Sequence, residues 1–185
     1  MHKSDEVLVR ETQKGNKKSF EFLVIKYEKQ IFNLIFRFTS DKGTVEDLAQ
    51  ETFLKAFRAI NNFKGKSTFY TWLRRIAVNN SINHLQSRKD YTSLDQDSDN
   101  SQIRNLSDDR FKTPEKSVLL KERSLIIRNT LESLPEQFRS ILIMREFEEM
   151  SYEEIAQVLG SPVGTVRSRL FHARRLLKEK LQFYQ

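Results

Sequence analysis

Near the C-terminal end, Thr165, Arg167, Ser168, Phe171, His172 and Arg175 recur at spacings that gather them on one side of a helix. These residue types suit the reading of duplex DNA. Arginine can grip a guanine edge or a phosphate, serine and threonine can donate to either, and phenylalanine can touch a thymine methyl. An aromatic among arginines and hydroxyls is an odd face to leave in water. The other side of the same helix, Val163, Val166, Leu170, Ala173 and Leu177, is apolar and predicts packing. A solvated helix in a bundle is the plain alternative, and charge argues against it. Residues 160–185 hold six Lys and Arg against one Glu, whereas 113–159 hold six against nine acidic residues.

A second constellation lies in the first half. Arg75, Asn79, Asn83 and Gln86 form a polar stripe at helical spacing, with Trp72 at its leading end. Such a stripe could hold an unstacked base. Unstacking costs a few kcal/mol, and stacking on an aromatic returns about 1–3 kcal/mol per base. Phe69 and Leu73 read as core; Trp72 fits core and base contact equally well.

Catalytic chemistry has no comparable support. The chain has no phosphate-cradling glycine loop and no nucleophile elbow. It has no cysteine, and His2, His84 and His172 lie far apart, so neither a disulfide framework nor a metal site is expected. No catalytic residue and no cofactor is expected. A formal charge of +7 favours an anionic partner. No apolar run reaches the ~18 residues of a membrane span, and Met1 to Glu6 lack a signal-peptide core. These features predict a cytoplasmic protein without membrane insertion.

The elements that must position these residues read as helices. Phe20, Leu23, Val24, Tyr27, Ile31, Leu34, Ile35 and Phe38 make one apolar stripe of about five turns. A turn is expected at Ser40 to Gly43, then Thr44 as N-cap of a helix reaching Ile60. Glu46 and Asp47 would sit in its first turn, where the helix dipole favours anions. This helix buries Val45, Leu48, Ala49, Thr52, Phe53, Ala56, Phe57 and Ile60, and turns Asp47, Gln50, Glu51, Leu54 and Arg58 outward. Asn61 to Ser67 form a polar loop around Gly65, and Thr68 or Ser67 caps a helix running to about Ser87.

Tyr91 to Lys112, rich in Ser, Asp and Asn, reads as a linker. Beyond it, helices are expected over about Glu115 to Ser133 and from Pro135, at a first helical position, to near Glu148. Ser151-Tyr152-Glu153-Glu154 is a capping box, and Gly160 suits a left-handed C-terminal position. Ser161 should cap the last helix, with Pro162 first inside it. Two helices joined by Leu159-Gly160-Ser161 make a helix-turn-helix. The expected fold is all-α: two small helical domains, 1–90 and 113–185, joined by a flexible linker at 91–112.

Four motifs carry a family resemblance. Glu46-Asp47-Leu48-Ala49-Gln50-Glu51-Thr52-Phe53 resembles the polymerase-binding motif of sigma region 2. Phe63 to Asn79 resembles the adjoining strand-capture loop and helix. Leu134-Pro135-Glu136, and Ser151 to Ala156 with Pro162 to Leu170, resemble region 4. In this order, over residues ~10–90 and ~113–182, they are similar to the extracytoplasmic-function group of the sigma-70 family.

The resemblance implies a promoter-recognition subunit. Asp47, Leu48, Gln50, Glu51 and Leu54 would dock on the clamp coiled coil of the polymerase β′ subunit. Lys64, Lys66, Ser67, Thr68, Tyr70, Trp72, Arg75, Asn79 and Asn83 would engage the minus-10 element and hold a flipped base. Thr165, Arg167, Ser168, Phe171, His172 and Arg175 would read the minus-35 element, and region 4 would also meet the β flap. An anti-sigma factor is the implied regulator. One departure is Lys66, where relatives often carry an acidic residue; with Lys64 it predicts stronger phosphate contacts. The alternative is a stand-alone helix-turn-helix regulator, which has no need of the Glu46–Phe53 surface or the Phe63–Asn79 loop.

Overall fold

A computed structural model describes residues 3–92 and 125–182. All the secondary structure among them is helical. They fall into two compact units, one built on the helices up to Leu85 and the other on the helices after the linker.

The N-terminal unit comprises α1 (Asp5–Gln13), α2 (Lys17–Phe38), α3 (Lys42–Ala59), a 3-10 turn at Ile60–Asn62 and, as far as Leu85, α4 (Phe69–Thr92). Between α1 and α2 the chain reverses at Gly15, whose φ of +97° suits glycine. The amide of Asn16 closes back on Glu11 O at 3.0 Å, and its side chain caps α2 by accepting from Lys18 N. The apolar stripe of α2 lies inside as its spacing predicts, with Leu23, Ile31, Leu34, Ile35 and Phe38 at or below 1% exposure. Val45, Ala49, Phe53 and Ala56 of α3 are buried as well, as are Leu73, Ala77 and Val78 of α4; α3 packs along α2, and Tyr27 of α2 meets Phe69 and Tyr70 of α4. Burying each large side chain contributes about 1.5–3 kcal/mol, which dominates the placing of α3 and α4.

Two helix ends differ from expectation. The cap of α3 is Asp41, not Thr44: its carboxylate accepts from Thr44 N at 2.8 Å and from the Thr44 hydroxyl at 2.7 Å. The helix therefore starts at Lys42, inside the expected turn. Helix α4 is capped by Thr68, which accepts from Thr71 N at 3.1 Å. It runs to Thr92, because no Gly or Pro interrupts Ser87 to Thr92.

The C-terminal unit comprises α5 (helical over 125–132), α6 (Glu136–Leu142), a π-helical turn at Ile143–Phe147, α7 (Tyr152–Leu159) and α8 (Val163–Leu181). Most of the expected linker, and the start of the helix expected from Glu115, lie outside the described residues. The helix expected from Pro135 to Glu148 opens into the π turn. There Glu148 N reaches Ile143 O at 3.0 Å, and the chain reverses through Glu149 at φ +50°. Widening occurs where Ile141, Leu142, Ile143 and Met144, four successive side chains, all stay at or below 1% exposure. Pro135 and Pro162 sit one place before the expected first helical position. With ψ of 137° and 147° they are themselves the caps, and this displaces Ser161 from that role. Among the described residues no helix is long and apolar enough to cross a membrane, and no cluster of three or more His, Cys, Asp or Glu could hold a metal.

Candidate nucleic-acid and polymerase interface

Helix α3 presents Asp47, Gln50 and Glu51 to solvent, with Leu54 exposed at 47%. Leu48 is a correction. Its position falls on the apolar arc with Val45 and Thr52, and at 5% exposure it faces the core, so it leaves the docking surface. Glu51 pairs with Lys55 at 2.7 Å. Lys55 also donates to Asn80 Oδ1 at 2.7 Å, and Asn80 Nδ2 donates to the buried Thr52 hydroxyl at 3.1 Å. A polar chain thus runs from the outer face of α3 to α4.

The loop from Phe63 to Thr68 leaves the 3-10 turn, passes Gly65 at φ +68° and enters α4. Lys64, Lys66, Ser67 and Thr68 are exposed, as are Arg75, Asn79, Asn83 and Gln86 along α4. The polar stripe is therefore solvent-facing along its length. Phe69 and Leu73 are core, at 3% and 0% exposure. Trp72 is half-buried at the margin of an aromatic cluster, 5.2 Å from Phe63 and 5.7 Å from Phe69 between ring centroids. Tyr70 stacks on Tyr27 at 5.4 Å. The Tyr27 hydroxyl and Lys26 both donate to Asp5. Lys26 holds its proton more tightly than usual through that bond, and Tyr27 through burial first and Asp5 second. Gln13 donates to the carbonyls of Ile60 and Phe63 beneath the loop. The sequence gives no sign of Asp5, Gln13 or Asn80 as supports of this surface, because their partners are 20 to 50 residues distant in the chain.

In the C-terminal unit the capping box forms both bonds. Glu154 N donates to Ser151 Oγ at 3.1 Å, and Ser151 N to Glu154 Oε2 at 2.9 Å. Gly160 at φ +58° ends α7, with Ser161 N donating to Ala156 O at 3.0 Å. This turn leads directly into α8. Val166, Leu170 and Ala173 of α8 are buried, while Val163 and Leu177 are half-buried. Arg167, Ser168, His172 and Arg175 are exposed, Phe171 is 65% exposed, and Thr165 is half-buried. Tyr152, at the start of α7, has the Arg145 guanidinium 5.1 Å and the Arg167 guanidinium 6.0 Å from its ring centre. Arg174 reaches Glu146 with Nε at 3.0 Å and Nη2 at 2.7 Å, clipping α8 to the π turn. That bond holds the Arg174 proton more firmly than usual.

A capped helix-turn-helix whose second helix offers a basic, aromatic face defines an all-helical DNA-binding protein. The chain matches the family description sigma-70 region 2 over residues 23–91 and sigma-70, region 4 over residues 124–177. It is 44% identical to the RNA polymerase sigma-H factor of Pseudomonas aeruginosa, over 96% of this chain and 94% of that protein. It is 42% identical to the ECF RNA polymerase sigma-E factor of Escherichia coli, over 97% and 95%. The sigma factor RpoE of Bartonella quintana, solved in complex with the anti-sigma factor NepR, shares the fold with a TM-score of 0.63. That pair is 21% identical over 89% of this chain and 98% of the other. The chain belongs to the sigma-70 family, in its extracytoplasmic-function group. It is a transcription initiation factor rather than a classical enzyme, and it binds core RNA polymerase and promoter DNA.

Proposed function

We propose that the exposed face of α3, Asp47, Gln50, Glu51 and Leu54, docks on the β′ clamp coiled coil. Lys64, Lys66, Ser67, Thr68, Tyr70, Trp72, Arg75, Asn79 and Asn83 engage the minus-10 element and stabilise melted DNA. Thr165, Arg167, Ser168, Phe171, His172 and Arg175 read the minus-35 element, and the C-terminal unit meets the β flap. The domains run over 1–90 and 113–185 about a linker at 91–112, and the protein works in the cytoplasm under an anti-sigma factor. A neighbour of the same fold pairs with such a factor, and the proposal extends that pairing to this chain.

The observation that carries the reading is the exposure of Arg75, Asn79 and Asn83 along one line of α4, beside a loop with two exposed lysines and an aromatic cluster. A duplex-binding repressor has no use for that surface. The test is transcription in vitro by the chain with core polymerase on a promoter from its own operon, beside an Asp47→Ala/Gln50→Ala variant. Specific initiation by the wild type, lost in the variant while duplex binding survives, supports the reading. Tight promoter binding by the chain alone without initiation would replace it with a stand-alone regulator.

A further inference from the structure

Helix α1 plays no part in the roles assigned so far, yet one of its side chains holds the capture loop from below. Gln13, in the last turn of α1, donates from Nε2 to two backbone carbonyls: Ile60 at 2.9 Å and Phe63 at 3.0 Å. These carbonyls bracket the 3-10 turn where α3 ends and the loop begins. A side-chain amide has two N–H bonds, and both are engaged here. The Ile60 carbonyl also accepts from Phe63 N at 3.1 Å, so the turn is fastened on both sides.

What Gln13 holds is the first residue of the loop. The Phe63 ring lies against Trp72, at the leading end of the polar stripe on α4. Two residues later Gly65 stands at φ +68° with no atom within 4 Å of where a Cβ would be. The loop tip is therefore not packed into place there, and its root must be fixed from elsewhere. Between α1 and the loop lies a groove of about 910 Å³, with Asp5, Arg10 and Gln13 on one wall and Lys64, Ser67 and Thr68 on the other. Gln13 stands on a firm element, since Leu8, Val9 and Thr12 of α1 are all buried.

We propose that Gln13 is a positioning residue for base capture: through the Ile60 and Phe63 carbonyls it sets the root of the loop, and with it the Phe63–Trp72 wall. The proposal rests on the reading of this loop as the capture site. A loop held at its root offers one pocket shape, and a single shape is what distinguishes one base from three others.

The test uses holoenzyme with wild type, Gln13→Ala and Gln13→Glu. Promoters differ only at the captured non-template position, with all four bases tried. The readouts are the open-complex rate for each base, affinity for core polymerase, and emission from Trp72, the one tryptophan of the chain. Gln13→Glu keeps the size but turns an acceptor toward two carbonyls. Both variants should narrow the ratio between best and worst base by about tenfold, the effect of two lost neutral hydrogen bonds. Trp72 emission should shift, while core affinity stays within about twofold of wild type. Undiminished discrimination in Gln13→Ala overturns the proposal. So does a parallel loss of core affinity in both variants, which would make Gln13 a general support of the unit. If the wild type itself does not discriminate among the four bases there, the capture reading fails, and the positioning role fails with it.

Discussion

Asn80 should be worth more to this protein than any exposed residue around it. Its side chain is 4% exposed and joins α4 to α3, donating to the Thr52 hydroxyl and accepting from Lys55. Asn80→Ala removes a buried neutral bond of about 1 kcal/mol and a part-exposed charged bond of about another 1 kcal/mol. Thr52 keeps its bond to Leu48 O at 2.7 Å, and Lys55 keeps Glu51, so no new orphan adds to the loss. The expected cost is about 2 kcal/mol, or a melting shift of about 10 °C for a unit of this size. Thr52→Val does a different kind of damage, because it leaves a buried amide N–H short of a partner, at about 1–3 kcal/mol. The double variant Thr52→Val/Asn80→Leu replaces both partners with apolar groups and should recover part of the loss. The cycle of Thr52→Val, Asn80→Leu and their double variant should be non-additive by about 1–2 kcal/mol. Urea unfolding followed by Trp72 fluorescence reports this unit selectively. Strict additivity, or an Asn80→Ala variant within about 0.5 kcal/mol of wild type, would refute the buried bridge.

Phe171→Ala should leave thermal stability within about 0.5 kcal/mol, since the ring is 65% exposed, while duplex affinity measured by anisotropy falls by about tenfold. Ser151→Ala breaks the capping box and should lower the stability of the C-terminal unit by about 1 kcal/mol, read by circular dichroism melting. The N-terminal unit should weaken in alkali. Lys26 and Tyr27 hold their protons more tightly than their ordinary 10.5 and 10.0. Their stabilisation is therefore complete below about pH 10 and is lost as pH rises beyond it. Tyr27→Phe should flatten the urea midpoint above that pH.

Periodicity carried most of the fold. The stripe from Phe20 to Phe38 and the arc from Val45 to Ile60 both lie inward, with Val24 and Phe57 half-buried. Leu48 shows the limit of motif reasoning. Spacing assigns it to the core, and only its place within a recognised segment suggested the surface. Asp41 and Thr44 are both capping residues three apart, and composition alone does not choose between them. The π turn arises from keeping four successive side chains inside, a tertiary demand without a local signature. Gln13 and Asn80 were hidden for a related reason: a side-chain amide is silent until the fold supplies partners 25 to 50 residues away.

Gly160 separates the geometry of the helix-turn-helix from its chemistry. Its φ of +58° is needed, yet a Cβ there would meet nothing within 4 Å. The position asks for a torsion and leaves the side chain open. Asn and Asp also adopt this torsion at modest cost. Evolution can therefore place an amide or a negative charge beside the basic reading helix without turning that helix. An aspartate there would repel phosphates and loosen grip on every promoter alike, leaving sequence preference where it was. The bend is thus a tuning point for how long a promoter is held, independent of which promoter is chosen.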